Sequence, residues 1–94
     1  MIIGFGDPET ELIWEGTRSR RLPSDIQATA LRKLRLLNQA QAISDLRVPP
    51  GNRLEALKGH WSGWYSIRIN SQWRICFRWD KRGAGDVTIV DYHY

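Results

Sequence analysis

The amino-acid sequence predicts an α+β domain in which two N-terminal helices pack on one face of an antiparallel β-sheet. Helical spacing of apolar residues dominates the first half of the chain, up to a sharp break at residues 49–52, which read PPGN. After this break the apolar residues alternate with a period of two, and short polar turns separate the alternating segments. Helices followed by a run of hairpin-linked strands are typical of the α+β class.

A short apolar segment, residues 1–5, opens the chain and is expected to form an edge or second strand. The first helix is expected to begin after Asp7, because an aspartate side chain can cap the first turn and Pro8 fits at its start. Gly16 is a natural stop, so this helix is short.

A longer helix follows a connector that is rich in arginine. Ser24 and Gln27 have the spacing of a capping box and predict where this helix begins, and the helical pattern fades near Ile43. Four apolar residues recur at helical spacing and are expected to face the core: Ile26, Ala30, Leu34 and Leu37.

The alternating segments after the break predict the strands of the sheet. A short strand spans residues 53–57, and longer ones span 64–70 and 73–79 with a two-residue turn between them. Residues 80–86 are expected to form a second hairpin loop before a last strand, 87–92. The alternation directs one set of side chains toward the helices, namely Tyr65, Ile67, Ile69, Trp73, Ile75, Phe77 and Trp79.

The composition fits one globular domain that spans residues 1–94, with 41% hydrophobic and 26% charged residues. A net charge of +4, carried mainly by arginine, favours a polyanionic partner because a guanidinium matches the geometry of phosphate. The single cysteine, Cys76, lies in an apolar strand and indicates a core residue of a cytoplasmic protein. We expect no signal peptide, no membrane association, and no metal or other cofactor.

The predicted sheet carries a cluster of cations on its polar face. Alternation places Arg68 on the polar side of one strand and Arg74 and Arg78 on the polar side of the next, while Arg53 and Lys58 precede them. Such a cluster repels itself unless an anion binds, so these residues are candidate phosphate ligands. The alternative is a solvated face whose cations pair with Asp and Glu.

The C-terminal run from Asp91 to His93 could supply acid–base chemistry. Cutting RNA without a metal requires a base for the ribose 2′-hydroxyl, an acid for the leaving 5′-oxygen and positive charge at the phosphorane. His93 suits either proton transfer, Asp91 could act as base or orient the imidazole, and Tyr92 could donate to phosphate or stack on a base. Arg74 could hold the phosphate oxygens. The alternative is that Tyr92 belongs to the core and His93 faces solvent.

The face on which the last strand presents these groups depends on its parity. If Val90 and Tyr92 point inward, then Asp91 and His93 point toward the ligand, close to Arg74. A one-residue bulge in the strand reverses that arrangement.

Three segments in the second half of the chain together resemble the HigB toxins of the RelE/ParE superfamily. Residues 50–59, PGNRLEALKG, are similar to the segment before the central hairpin of that family. Residues 66–70, SIRIN, and 72–77, QWRICF, resemble its hairpin core, and residues 91–93, DYH, resemble its C-terminal run. The helical half of the chain is similar in layout alone.

The resemblance implies a fold like that of the compact microbial ribonucleases, with two N-terminal helices against a curved antiparallel sheet. It implies a metal-free messenger-RNA endonuclease that depends on the ribosome and inhibits translation. The implied partners are the ribosome and its mRNA, and a HigA-like antitoxin with a helix-turn-helix domain. Operator DNA would be contacted through that antitoxin alone.

Carried over residue by residue, the family's catalytic run falls on Asp91, Tyr92 and His93, and a phosphate-binding arginine falls on Arg74. The basic rim of the family falls on or near Arg53, Lys58 and Arg68.

Glu55 departs from the pattern of the family. Some members have a histidine three residues before the lysine of the Lys-Gly turn, where this chain has a glutamate. A carboxylate can act as a base but adds no positive charge. Either Glu55 takes a different role, or Asp91 and His93 form the acid–base pair alone. The departure is compatible with weaker or altered cleavage.

Two other functions are compatible with the residues. A toxin of the ParE type inhibits DNA gyrase by binding, without acid–base chemistry, and a DNA-supercoiling assay would identify it. A plain nucleic-acid-binding module would stack bases on exposed Trp and Tyr side chains and show salt-sensitive RNA binding without cleavage.

Overall fold

Within residues 1–92, which a computed structural model of the chain describes, two helices lie against a sheet of four strands. The helices are α1, Pro8–Trp14, and α2, Ser24–Gln39. The strands follow the break as β1, Glu55–Ala56, β2, Trp64–Arg68, β3, Trp73–Asp80, and β4, Gly83–Asp91. They pair antiparallel in the order β1-β2-β3-β4, which confirms the predicted α+β class.

The core lies between α2 and the helix-facing side of the sheet. Leu34 and Leu37 of α2 are fully buried, as are Ile67 of β2 and Ile75 and Phe77 of β3. The predicted core positions of α2 and of the alternating strands are therefore confirmed. Burial of each such side chain contributes roughly 1.5–3 kcal/mol.

The N-terminus of α1 is capped as predicted. The backbone N–H of Thr10 donates to Oδ1 of Asp7 at 2.7 Å. Thr10 is itself buried, and its hydroxyl oxygen accepts from the N–H of Ile89 at 2.9 Å. One residue of the first helical turn therefore fixes α1 to β4.

The predicted capping box of α2 is wrong. The helix begins at Ser24 after Pro23, and no side chain caps it. The Gln27 amide instead donates to the carbonyl oxygens of Ser19 and Leu22, at 2.8 and 2.9 Å, and accepts from the N–H of Ser19. Gln27 thus holds the arginine-rich connector in place. Its partners precede the helix, so the spacing of Ser24 and Gln27 alone does not predict them.

The helical half also ends differently from the prediction. Helix α2 stops at Gln39, and Ile43–Arg47 forms a separate 3-10 turn. A second 3-10 turn, Pro50–Asn52, follows within the predicted break.

A bulge in β4 sets the parity of the last strand. Cys76 pairs with Thr88, but Arg78, two residues on, pairs with Gly85, three residues back. The additional residue is accommodated at Asp86, whose φ is +49°. The predicted hairpin loop 80–86 is wrong. Asp80 and Gly83 already pair across a two-residue turn, so β4 begins at Gly83.

The N-terminal segment lies parallel to β4 but forms no continuous strand. It makes isolated bridges at Ile2 and Phe5, and the N–H of Ala84 donates to the carbonyl of Met1 at 2.9 Å. Gly83 makes this close approach possible. Its φ is +135°, and a Cβ there would lie 2.0 Å from the Met1 oxygen.

We expect Gly83→Ala to lower the free energy of unfolding by about 1–3 kcal/mol, because the added Cβ displaces the N-terminal segment and strains the backbone. Gly4→Ala is the matched control, since a Cβ at Gly4 meets no atom within 4 Å. Denaturant unfolding of both variants measures the difference. Equal stability of the two variants would contradict this account of the glycine.

Candidate active site

A pocket of about 270 Å³ opens on the side of the sheet that faces away from the helices. It lies where the ends of β1, β2, β3 and β4 meet the turn between β2 and β3. Its lining combines three arginines, one carboxylate and one phenol with two small polar residues: Arg53, Arg68, Arg74, Glu55, Tyr92, Asn70 and Ser71.

Arg74 lies at the base of this pocket with 6% of its surface exposed. Its Nε donates to the hydroxyl of Ser66 at 2.7 Å, and its Nη2 donates to the carbonyl oxygen of Arg53 at 2.6 Å. These contacts occupy one edge of the guanidinium and fix its plane. A guanidinium held in this way is pre-organised to bind phosphate oxygens in a fixed orientation.

Glu55 is the acidic partner of Arg74. Its Oε1 lies 3.3 Å from Nη1 of Arg74, and the glutamate side chain is 44% exposed. The sheet register explains the contact, because Glu55 is the Cα partner of Ser66, which in turn pairs with Cys76. Residues directly opposite each other share a face, so the carboxylate lies over the polar face beside Arg74.

The carbonyl of Arg53 reaches Arg74 because the chain turns sharply before β1. Arg53 follows the 3-10 turn with a φ of +44° and belongs to no strand, so the predicted strand 53–57 is reduced to Glu55–Ala56. Asn52, immediately before it, is fully buried.

Asn52 connects the break to the helical layer. Its amide donates to the carbonyls of Leu46 and Val48 at 3.1 and 3.2 Å, and its Oδ1 accepts from the ammonium of Lys33 on α2. Lys33 is itself 5% exposed. Burial, with a further contribution from Arg32 and Arg68, lowers the pKa of Lys33 from its ordinary value.

Tyr92 lies on the same face as Arg74. The Cζ atom of Arg74 lies 5.4 Å from the centre of the Tyr92 ring, within the range of a cation–π contact. The phenol is half-buried and lines the pocket. The aromatic ring of Tyr92 therefore lies beside the guanidinium of Arg74 in the lining of the pocket.

Asp91 lies on the opposite face from Arg74. It pairs with Trp73, whereas Arg74 pairs with Val90, and its Oδ2 accepts from the Gln72 amide at 3.1 Å. The arrangement in which Val90 and Tyr92 point inward is therefore wrong. The bulge at Asp86 places Val87 and Ile89 in the core, so the alternation directs Asp91 to their side of the sheet.

The other predicted site residues separate into two groups. Arg53 and Arg68 line the pocket. Lys58 and Arg78 are exposed and lie outside its lining, and Arg78 instead contacts the ring of Trp64. His93 lies outside the described residues.

Two residues that position the site, Ser66 and Asn52, are not predicted from the sequence. Ser66 is fully buried on the polar face and orients Arg74, yet its hydroxyl carries no periodic signal. Asn52 lies in a turn-forming tetrapeptide, where an asparagine is ordinarily exposed. It is instead buried, and its side-chain oxygen accepts from the ammonium of Lys33, nineteen residues earlier in the chain.

Cys76 is buried, as the sequence predicts, and has the same parity on β3 as Arg74. Burial raises its pKa to about 11, and the positive charge of Arg74 opposes this shift. A thiol with this pKa is protonated near neutral pH and is a poor nucleophile.

Within the described part of the chain, no three His, Cys, Asp or Glu side chains come together as a metal site requires. Neither α1 nor α2 has the length and the apolar character that a helix needs to cross a bilayer.

The fold is shared with a solved protein of low sequence identity. The YoeB-YefM complex from Staphylococcus aureus contains a chain that superposes with a TM-score of 0.63, at 17% sequence identity, over 100% of this chain and 99% of the other. This similarity establishes the fold alone.

The sequence comparisons establish the family. A family model described as the RelE-like toxin of the type II toxin-antitoxin system, HigB, matches residues 6–93, and the chain belongs to this HigB-like toxin family. Toxin HigB-1 of Vibrio cholerae is 49% identical over 94 residues, covering 99% of this chain and 98% of that protein. An uncharacterized protein of Haemophilus influenzae is 30% identical over 79 residues, covering 84% and 78% of the two chains.

Proposed function

We propose that this toxin is an endoribonuclease that cuts messenger RNA on the ribosome and thereby inhibits translation. The observation that supports the proposal best is the buried Arg74, held by Ser66 and the Arg53 carbonyl at the base of a cationic pocket. Glu55 and Tyr92 lie beside it, so the pocket combines positive charge with a group able to accept a proton.

In the proposed reaction, the guanidinium of Arg74 binds the non-bridging oxygens of the scissile phosphate. Arg53 and Arg68 bind the neighbouring phosphates of the same strand. The positive charge of Arg74 stabilises the phosphorane that forms during the reaction, as donors do in an oxyanion hole. Binding of phosphate also displaces Glu55 from its ion pair with Arg74 and makes the carboxylate available as a base.

The bond changes balance without an external reactant. The carboxylate of Glu55 takes the proton of the ribose 2′-hydroxyl, whose oxygen attacks phosphorus while the bond from phosphorus to the 5′-oxygen breaks. The leaving oxygen takes a proton from an acid, and the resemblance to the family assigns this role to His93. The products are a 2′,3′-cyclic phosphate and a free 5′-hydroxyl.

The proposal includes the partners of a type II system. A HigA-like antitoxin binds the toxin and blocks its activity, and the antitoxin supplies the contact with operator DNA. Co-expression of the antitoxin gene is expected to restore growth of cells that produce this chain.

A reconstituted translation reaction tests the activity. Added toxin should create new 5′ ends within ribosome-bound codons, mapped by primer extension, and should leave the same mRNA intact when ribosomes are omitted. His93→Gln should remove most of these ends. Inhibition of DNA supercoiling without new 5′ ends would instead identify a toxin of the ParE type.

We expect Glu55→Gln to slow cleavage by about 10²- to 10⁴-fold, the usual contribution of a general base. Binding of the toxin to programmed ribosomes should change little, because an amide fills the same space. Glu11→Gln, on the exposed side of α1, is the matched control and should cleave at the wild-type rate.

Full activity of Glu55→Gln would contradict the assignment of the base. If Asp91→Asn then abolished cleavage, the base would be Asp91, and its strand would have to rearrange on the ribosome to reach Arg74.

A further inference from the structure

Two tryptophans and an arginine form a second cluster on the same face of the sheet, outside the pocket. The ring centres of Trp61 and Trp64 lie 5.0 Å apart in an edge-to-face arrangement, with 84° between their planes. The guanidinium of Arg78 lies 5.1 Å from the centre of the Trp64 ring. Trp61 is 41% exposed, so one part of the cluster faces solvent.

The cluster is continuous with the candidate active site. Trp64 and Arg78 are Cα partners on neighbouring strands, and both have the same parity as Ser66 and Arg68 on β2 and as Arg74 on β3. From Trp64 to Arg68 the strand advances about 13 Å, at roughly 3.3 Å per residue. The tryptophans therefore lie beyond one end of the pocket, along the same face.

The backbone before β2 brings the two rings together. Trp61 ends a 3-10 turn, and Gly63, with a φ of +90°, reverses the chain so that Trp64 can begin the strand beside it. Few residues other than glycine adopt this backbone conformation.

The cation of the cluster is available to a ligand. Arg78 contacts Asp86 at 3.8 Å, but both side chains are more than 60% exposed, and such a pair is weakly held in water. An exposed aromatic ring next to an unburied guanidinium has the chemistry that binds single-stranded nucleic acid, in which the bases stack and the phosphates bind cations.

We propose that Trp61 and Trp64, with Arg78, form a stacking site for an unpaired base of the RNA strand whose phosphate lies against Arg74. This inference rests on the proposed function, since it takes that strand as the ligand. The site adds affinity at a nucleotide away from the bond that is cut. Every base has an aromatic face, so the contact tolerates different sequences.

The test measures binding separately from cleavage. Fluorescence anisotropy at low salt gives the dissociation constant of the intact toxin for a single-stranded oligonucleotide whose 2′-O-methyl groups prevent cutting. In a matched series, one abasic nucleotide is moved along the oligonucleotide. Trp61→Ala removes the exposed ring, and Trp61→Phe retains an aromatic face as the control.

We expect Trp61→Ala to weaken binding about 5- to 150-fold, the range for loss of one base–aromatic contact. Trp61→Phe should stay within about threefold of the wild type because phenylalanine also stacks. An abasic nucleotide at one position should weaken the wild type similarly and have little further effect on Trp61→Ala.

The stacking site would be overturned if Trp61→Ala bound the oligonucleotide as tightly as the wild type, or if the wild type showed no detectable binding. It would also be overturned if sedimentation showed Trp61-dependent self-association while the RNA affinity was unchanged. The reconstituted translation reaction is scored separately. If the toxin cleaves mRNA but its RNA binding does not depend on Trp61, the stacking-site proposal is wrong and the nuclease proposal stands. If RNA binding depends on Trp61 but no cleavage occurs, the nuclease proposal is wrong and the cluster is an RNA-binding surface.

Discussion

Replacing Arg74 with lysine is expected to lower the rate of mRNA cleavage on ribosomes by about 10²- to 10³-fold, the usual effect of losing one pre-organised donor to a developing anion. Lysine keeps the positive charge but has no planar fork. It cannot donate to Ser66 and the Arg53 carbonyl and still present two N–H groups to a phosphate. The loss therefore reports on the orientation of the charge rather than on its presence.

Arg68→Lys is the matched control for Arg74→Lys. Arg68 is half-buried at the rim of the pocket, where a point charge can still attract a neighbouring phosphate. We expect its effect to be within about tenfold, mostly in binding. Single-turnover cleavage on programmed ribosomes, together with denaturant unfolding, separates activity from stability. Equal losses at the two positions would show that Arg74 contributes charge alone.

Asn52→Ala is expected to lower the free energy of unfolding by about 2–4 kcal/mol, because it leaves the buried ammonium of Lys33 without its amide acceptor. It also removes two hydrogen bonds that hold the 3-10 turns together. Since Arg53 follows directly, we expect slower cleavage as well. Denaturant unfolding at neutral pH measures the stability loss.

Asn38→Ala is the control for this loss, because its side chain makes a neutral, half-buried bond to the N–H of Ile2. It should cost about 0.5–1.5 kcal/mol. A larger loss for Asn38→Ala than for Asn52→Ala would contradict the importance of the buried charge.

The stability difference between Asn52→Ala and the wild type should depend on pH. The pKa of Lys33 is lowered in the folded protein, so its charged form destabilises the fold below that pKa, and the penalty is relieved as the pH rises toward the ordinary lysine value. Removal of the acceptor lowers the folded pKa further. The difference should therefore narrow as the pH rises toward the ordinary lysine pKa, about 10.4. A constant difference would show that Lys33 does not carry the effect.

Much of the site follows from alternation along two strands. Because Arg68 and Arg74 occupy polar positions of adjacent segments joined by a short turn, the sequence predicts that they share a face, and the register confirms it. Asp7 and the core positions of α2 are predictable for the same reason, since local spacing determines them.

What local spacing cannot supply is the effect of a single additional residue. The left-handed conformation of Asp86 reverses the parity of everything after it, and Asp91 consequently faces away from Arg74. Glu55, which stands out in the sequence as a departure from the family pattern, is the carboxylate that lies beside Arg74 in place of Asp91. The contacts of Gln27 and Asn52 likewise depend on partners that are distant in the sequence or outside the local motif.

The most direct test of the nuclease mechanism uses an mRNA with one 2′-deoxynucleotide on the 5′ side of a mapped cut. Attack by the neighbouring hydroxyl onto the phosphate held by Arg74 requires that oxygen. We therefore predict that cutting at this bond disappears, while other sites and the binding of the toxin to the ribosome are unchanged. Continued cutting at the modified bond would contradict the mechanism.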